Sequence, residues 1–165
     1  MLRREKTQQR DAAAIDPNTP PEILSELALN RNAWRRATIA SNPNTSASAL
    51  EELAVDQRIA IRLAAAENLI EPKLLEKLSK DRSVYVRQAV AANPATPHDT
   101  IISLSSDPYY EVRIYVLRNP SAPLCVFERM IDELNRAGLK RMAAEMPCYP
   151  TIVKRLATYL DKRVR

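Results

Sequence analysis

Two short helical patterns of apolar positions alternate along this chain, and the alternation recurs. One pattern is carried by Leu24, Leu27 and Ala28, then by Leu50, Leu53 and Ala54, then by Ile101 and Leu104. Spacings of three and four place these side chains on one face of a helix, and the flanking residues predict helices of about 8–11 residues. The other pattern pairs Ile61 with Ala65, Val86 with Val90 and Val112 with Val116. Members of each pair are four apart, so they share a face of a second helix. Neither stripe can be buried by its own helix, and isolated helices this short are marginal in water. Stacking of successive helix pairs supplies the missing partner surface.

Turn signals punctuate the pairs at a near-constant step. Asn42-Pro43, Asn93-Pro94 and Asn119-Pro120 are intact, while Asp16-Pro17, Asn68-Leu69 and Met146-Pro147 are altered copies. The second residues of these dipeptides are 26, 26, 25, 26 and 27 apart. Further columns keep the same register. Leu27, Leu53, Leu78 and Leu104 stand three before Asn30, Asp56, Asp81 and Asp107, which stand six before Arg36, Arg62, Arg87 and Arg113. Arg10 and Lys140 hold the Arg place at the two ends, seven before Pro17 and Pro147.

Capping chemistry fits this division. Thr19 and Thr96 are suited to cap the first helices, with Pro20, Pro97 and Pro123 at the first helical position and Glu22 completing a capping box. Asp56, Asp81 and Asp107 are suited to cap the second helices. Each following Asn-Pro ends the second helix, because proline disfavours helical geometry in the residue before it. The predicted fold is an all-α, right-handed α-solenoid of five to six two-helix repeats of about 26 residues. It is one domain over residues 1–165: a half unit or cap at 1–16, repeats at 17–147, and a capping helix at 148–165.

These columns resemble the leucine-rich repeat variant family: an Asn-Pro-x-Thr-Pro turn as at Asn93-Pro94-Ala95-Thr96-Pro97, leucines in the first helix, then Asp, five residues and Arg. The Asp–Arg element is also similar to the second helix of HEAT repeats. The resemblance spans roughly residues 10 to 147 and implies helices stacked in a right-handed superhelix, with a binding role. Some members carry a cysteine-rich iron–sulfur segment, which does not transfer: a cluster takes four Cys ligands, and this chain has Cys125 and Cys148 alone.

Composition narrows the function. The single glycine, Gly138, follows a helical run over 123–137 and suits its C-cap. Its isolation argues against phosphate loops and nucleotide fingerprints. The two cysteines imply no disulfide framework, and no apolar run approaches the roughly 18 residues of a membrane span. The start is basic without a following apolar stretch, so the expected location is the cytoplasm. The net charge of +5 belongs to the ends: residues 1–10 carry +3, residues 151–165 carry +4, and the span between sums to −2.

Candidate chemistry follows from these columns. The arginines Arg36, Arg62, Arg87 and Arg113 admit two roles: pairing with the acidic column, or tracking a phosphate backbone with help from Lys154, Arg155, Lys162 and Arg163. The matching acids favour the first. Trp34 and Tyr85 sit two before the column Arg, where residue type varies from unit to unit. With Tyr109, Tyr110, Tyr115 and Arg118 they are candidate anchors for a partner, since Trp, Tyr and Arg are enriched at interface hot spots. His98 is expected to be exposed, and as the only His it lacks companions for a metal site. Cys125 is expected in the core, and Cys148 in a turn and inert. A glycosylase-like enzyme would need an aromatic, an acid and an Arg converging, as Trp34 and Asp56 could be imagined to do. No catalytic residue, metal, cofactor or small-molecule substrate is expected. The leading function is a non-enzymatic interaction module for a protein or peptide, with DNA or RNA binding as the alternative.

Overall fold

The computed structural model describes residues 2–123 together with Cys125, Val126 and Arg129. All regular structure among the described residues is helical: α1 (Leu2–Ile15), α2 (Pro21–Ala28), α3 (Ala33–Ala40), α4 (Ala47–Leu53), α5 (Ile59–Asn68), α6 (Pro72–Leu78), α7 (Val84–Ala92), α8 (His98–Leu104) and α9 (Tyr110–Arg118). None of these is long and apolar enough to cross a membrane. The expected capping helix at 148–165, with Gly138, Lys140 and Cys148, lies outside the described residues.

The helices alternate as the two apolar patterns require. The even-numbered helices are the first members of each pair and the odd-numbered ones the second. Successive second helices pack side by side, α3 on α5, α5 on α7 and α7 on α9, with α1 in the same row against α3. The stripes fill the space between: Ile61, Val86 and Val112 are buried, as are Ala65, Val90 and Val116 three places after the Arg. Leu24, Leu50, Leu53, Leu75, Ile101 and Leu104 close the core from the first helices. Ala40, Ala65, Ala66 and Ala91 are fully covered. Their small size lets neighbouring second helices approach closely, where a larger side chain would force them apart.

At one place this column changes character. Where later units bury Ile61, Val86 or Val112, the first pair carries Arg35, itself buried. Its guanidinium reaches back to Asp11 on α1, at 3.0 Å from Nε and 2.6 Å from Nη2 to Oδ1. The pair fastens α1 to the row.

The Asn column does more than stop helices. Asn93 Nδ2 donates to the carbonyls of Ala66 and Leu69 in the preceding unit, both at 2.8 Å. Asn119 does the same to Ala91 and Asn93, and Asn42 to Ala14 and Asp16. Asn68 reaches Ala40. Ala14, Ala40, Ala66 and Ala91 are carbonyls near the C-terminal ends of the row, which have no partner within their own helix. The Asn Oδ1 meanwhile accepts from the N–H two residues on, at Asn44, Ala95 and Ser121. The turns need no left-handed backbone, since no described residue has positive φ; this is how the chain manages with one glycine.

Several expected caps are displaced. The hydroxyls of Thr19, Thr45 and Thr96 donate to the carbonyls of Ala13, Ile39 and Val90, each at 2.6 Å, sealing the helix before rather than capping the one after. Pro20 and Pro97 hold the N-cap places, and Glu22 forms no capping box. Asp56, Asp81 and Asp107 precede the N-caps by two, where each carboxylate accepts from the N–H of Arg58, Ser83 or Tyr109. These Asx turns use residues that helix would otherwise take. The first helices are 7 or 8 residues long, at or below the short end of the expected range of about 8–11.

Candidate functional site

All the second helices start on one edge of the array, the edge formed by the loops that enter them. The Arg column holds this edge together. Nη1 of each Arg donates to a carbonyl of its own loop: Arg36 to Asn30, Arg62 to Asp56, Arg87 to Asp81 and Arg113 to Asp107, at 2.7, 2.8, 2.7 and 2.7 Å. Nε reaches forward to the carboxylate of the next loop: Arg36 to Asp56, Arg62 to Asp81 and Arg87 to Asp107, each at 2.7 Å. One side chain thus clamps two consecutive units. Arg10 is exposed, and the next acidic place is the neutral Asn30. Glu133, which follows Asp107 in the column, lies outside the described residues.

The electrostatics follow from this geometry. Burial opposes ionisation of Asp81, but the bonds from Arg62 and the Ser83 N–H outweigh it and hold the carboxyl below its usual range. For Asp56, burial is likewise outweighed by Arg36 and the Arg58 N–H. The Asp81 carboxylate raises Arg62, and that of Asp107 raises Arg87. Arg36, Arg62 and Arg87 are therefore committed to carboxylates of this chain.

The structure divides the candidate anchors into two groups. Trp34 and Tyr85 are the second residues of α3 and α7, Tyr110 is the first of α9, and Tyr109 is its N-cap. All four lie on the entry edge, with 51% of Trp34, 61% of Tyr85, 54% of Tyr109 and 44% of Tyr110 exposed. Tyr109 lies over the Arg87 guanidinium at 5.4 Å and Tyr110 over that of Arg113 at 5.7 Å, which orients both rings. Tyr115 and Arg118 stand farther along α9. They are half-buried and stacked on each other at 5.3 Å, so they do not join the edge. The basic candidates Lys154, Arg155, Lys162 and Arg163 lie outside the described residues.

Some edge residues were not anticipated from the sequence. Leu29 and Val55, on the same loops, and Ile59, the first residue of α5, are exposed apolar side chains. Arg31, Arg58 and Arg82 are exposed there too. The signal was available: Leu29 and Val55 stand one before the Asn/Asp column, and Arg31 and Arg82 one after it. Grooves run between adjacent loops. One of ≈ 320 Å³ lies between residues 28–31 and 52–56, and one of ≈ 820 Å³ between 54–59 and 77–83.

Cys125 is exposed, not in the core; its neighbour Val126 takes the buried place. Cys125 and Val126 are successive helical residues and so face different ways, Cys125 outward and Val126 inward. His98 is exposed. Among the described residues no three His, Cys, Asp or Glu side chains come together as a metal ion would need. No protein-family model, curated protein or solved structure matches the chain. Fold and edge define the class of the described residues: a helical array of stacked helix pairs with an aromatic and cationic rim.

Proposed function

We propose that this chain is a non-enzymatic helical-repeat interaction module that binds a protein or peptide along the entry edge of its second helices. In this reading the array is a right-handed α-solenoid of five to six units, akin to the leucine-rich repeat variant and HEAT types, working in the cytoplasm. One observation carries it. Trp34, Tyr85, Tyr109 and Tyr110 are exposed together along a rim whose backbone is clamped unit to unit by the Arg column. Solvent-facing aromatics on a rigid frame cost little ordering entropy on binding, which makes them effective anchors.

Nucleic-acid binding is the second reading, and the exposed Arg31, Arg58 and Arg82 favour it more than the column does. Arg36, Arg62 and Arg87 would have to leave their carboxylates before meeting phosphate. The test is capture from native cells with and without nuclease, using the wild type and a Trp34→Ala/Tyr85→Ala double variant. Capture should survive nuclease and be lost in the variant, with the melting temperature nearly unchanged. Capture abolished by nuclease, and falling steeply with salt, would favour the second reading.

A further inference from the structure

The geometry points to a docking groove for an acidic peptide segment between the loops entering α5 and α7. Carboxylates of the segment meet Lys77, Lys80 and Arg82, and an apolar side chain rests on Val55 and Ile59. This rests on the protein-binding reading and specifies the chemistry of the partner.

The groove of ≈ 820 Å³ is lined by Val55, Ile59 and Leu78 on its apolar side and by Arg62, Lys77, Lys80 and Arg82 as cations. Its acids are Asp56 and Asp81, and both are engaged. Asp81 receives Arg62 at 2.7 and 3.0 Å, and Asp56 receives Arg36 at 2.7 Å and the Arg58 N–H at 2.8 Å. Lys77 and Arg82 are exposed. Lys80 meets Glu76 at 3.2 Å, with both side chains mostly in water, where such a pair is worth little and yields readily to a competitor. The surplus charge presented by the groove is therefore positive.

Two further features favour a carboxylate over other occupants. The N-terminal ends of α5 and α7, helices of 10 and 9 residues, border the groove without a side-chain cap at Arg58 or Ser83. Their dipoles add positive potential where the cations already stand. No aromatic ring lines the groove, so the stacking platform that single-stranded nucleic acid uses is missing there. The exposed Val55 and Ile59 instead suit an aliphatic side chain.

Adjacent junctions differ in informative ways. The place of Ser83, two after the loop acid, is taken in the next loop by Tyr109, whose ring lies over Arg87. The preceding junction has the smaller groove of ≈ 320 Å³, and Glu52 lines it. At the middle junction this place holds the small Ser83, which lines the groove in place of a ring.

The test selects peptides on the full chain from a phage-displayed library of random dodecapeptides. Recovered sequences should be rich in Asp and Glu around one or two aliphatic residues. Binding of a recovered peptide, followed by fluorescence anisotropy, should weaken at least about tenfold in Lys77→Glu/Arg82→Glu. It should also weaken in Ser83→Tyr, which places a ring where Tyr109 shows one fits. Should Ser83→Tyr lower the melting temperature, the exposed double variant still decides. Peptides with no excess of acid, or binding indifferent to these changes, would overturn the inference. So would equal displacement by an unstructured oligo-dT strand, which would mark a general anion surface. Partner capture lost in Trp34→Ala/Tyr85→Ala but kept in both groove variants would remove the groove and leave the protein-binding reading standing.

Discussion

Arg87 and Asp107 stand 20 residues apart in the chain, and share two hydrogen bonds, 2.7 Å from Nε to Oδ2 and 3.2 Å from Nη2 to Oδ1. Both side chains are largely covered, 10% and 6% exposed. The pair ties the third unit to the fourth. Arg87→Met should destabilise by about 3–5 kcal/mol, because it strands a buried carboxylate. Adding Asp107→Asn removes the charge but keeps the acceptor for the Tyr109 N–H, and should restore most of the loss. Urea denaturation of the single and double variants checks both outcomes.

Asn93 is the clearest test of the backward stitch. Asn93→Ala leaves the Ala66 and Leu69 carbonyls short of a donor, at about 1–3 kcal/mol for each buried group left unsatisfied. Asn93→Asp should cost more, since it sets a carboxylate against the same oxygens. Asp16→Asn should change little, because Asp16 is exposed and acts as an acceptor for Asn18. Denaturation midpoints should fall most for Asn93→Asp, less for Asn93→Ala and least for Asp16→Asn.

The ladder also sets a response to acid. Asp56 and Asp81 have folded-state values below their ordinary ones. Their contribution is therefore fully present above the unfolded carboxylate value of about 3.9, and is lost as pH falls through the lower folded value. Arg62 and Arg87 are raised, so their contribution persists up to strongly alkaline pH. Stability measured by denaturant should be flat from neutrality down to about pH 5 with respect to these groups, then decline. Asp81→Asn should flatten part of that decline while lowering the plateau.

The buried pair of Arg35 and Asp11 makes α1 separately testable. Asp11→Ala leaves Arg35 covered and without its carboxylate, so α1 should loosen from α3 and exchange its amide hydrogens faster while α5 to α9 stay protected. Arg35→Leu in that background restores the apolar column of Ile61, Val86 and Val112, and should slow the exchange of α1 again.

The repeat was legible because the same chemistry recurs in register. The apolar stripes, the helix order and the pairing of Arg with Asp could all be read from spacing. The direction of that pairing could not. Asp56 lies six before Arg62 in its own unit, yet its carboxylate serves Arg36 of the unit before. The Arg62 side chain takes the Asp56 carbonyl instead, and a one-dimensional pattern does not separate these. Asn42, Asn93 and Asn119 had a sufficient local explanation as turn residues, which hid the donor each extends to the preceding unit. Thr19 and Thr96 have the spacing of caps for the helices that follow, but their hydroxyls donate back to Ala13 and Val90. Among the aromatics, Trp34, Tyr85, Tyr109 and Tyr110 shared a helix end that spacing defines. Tyr115 and Arg118 belong to the same helix as Tyr110, but to another part of its length, which variation in residue type from unit to unit does not reveal.

Hydrogen-exchange mapping of the chain with its captured partner measures the working surface directly. Protection should concentrate on the entry loops, residues 29–34, 55–60, 80–85 and 106–111. Protection falling instead on the Asn-Pro turns of the opposite edge, around 42–46, 93–97 and 119–122, would contradict the account.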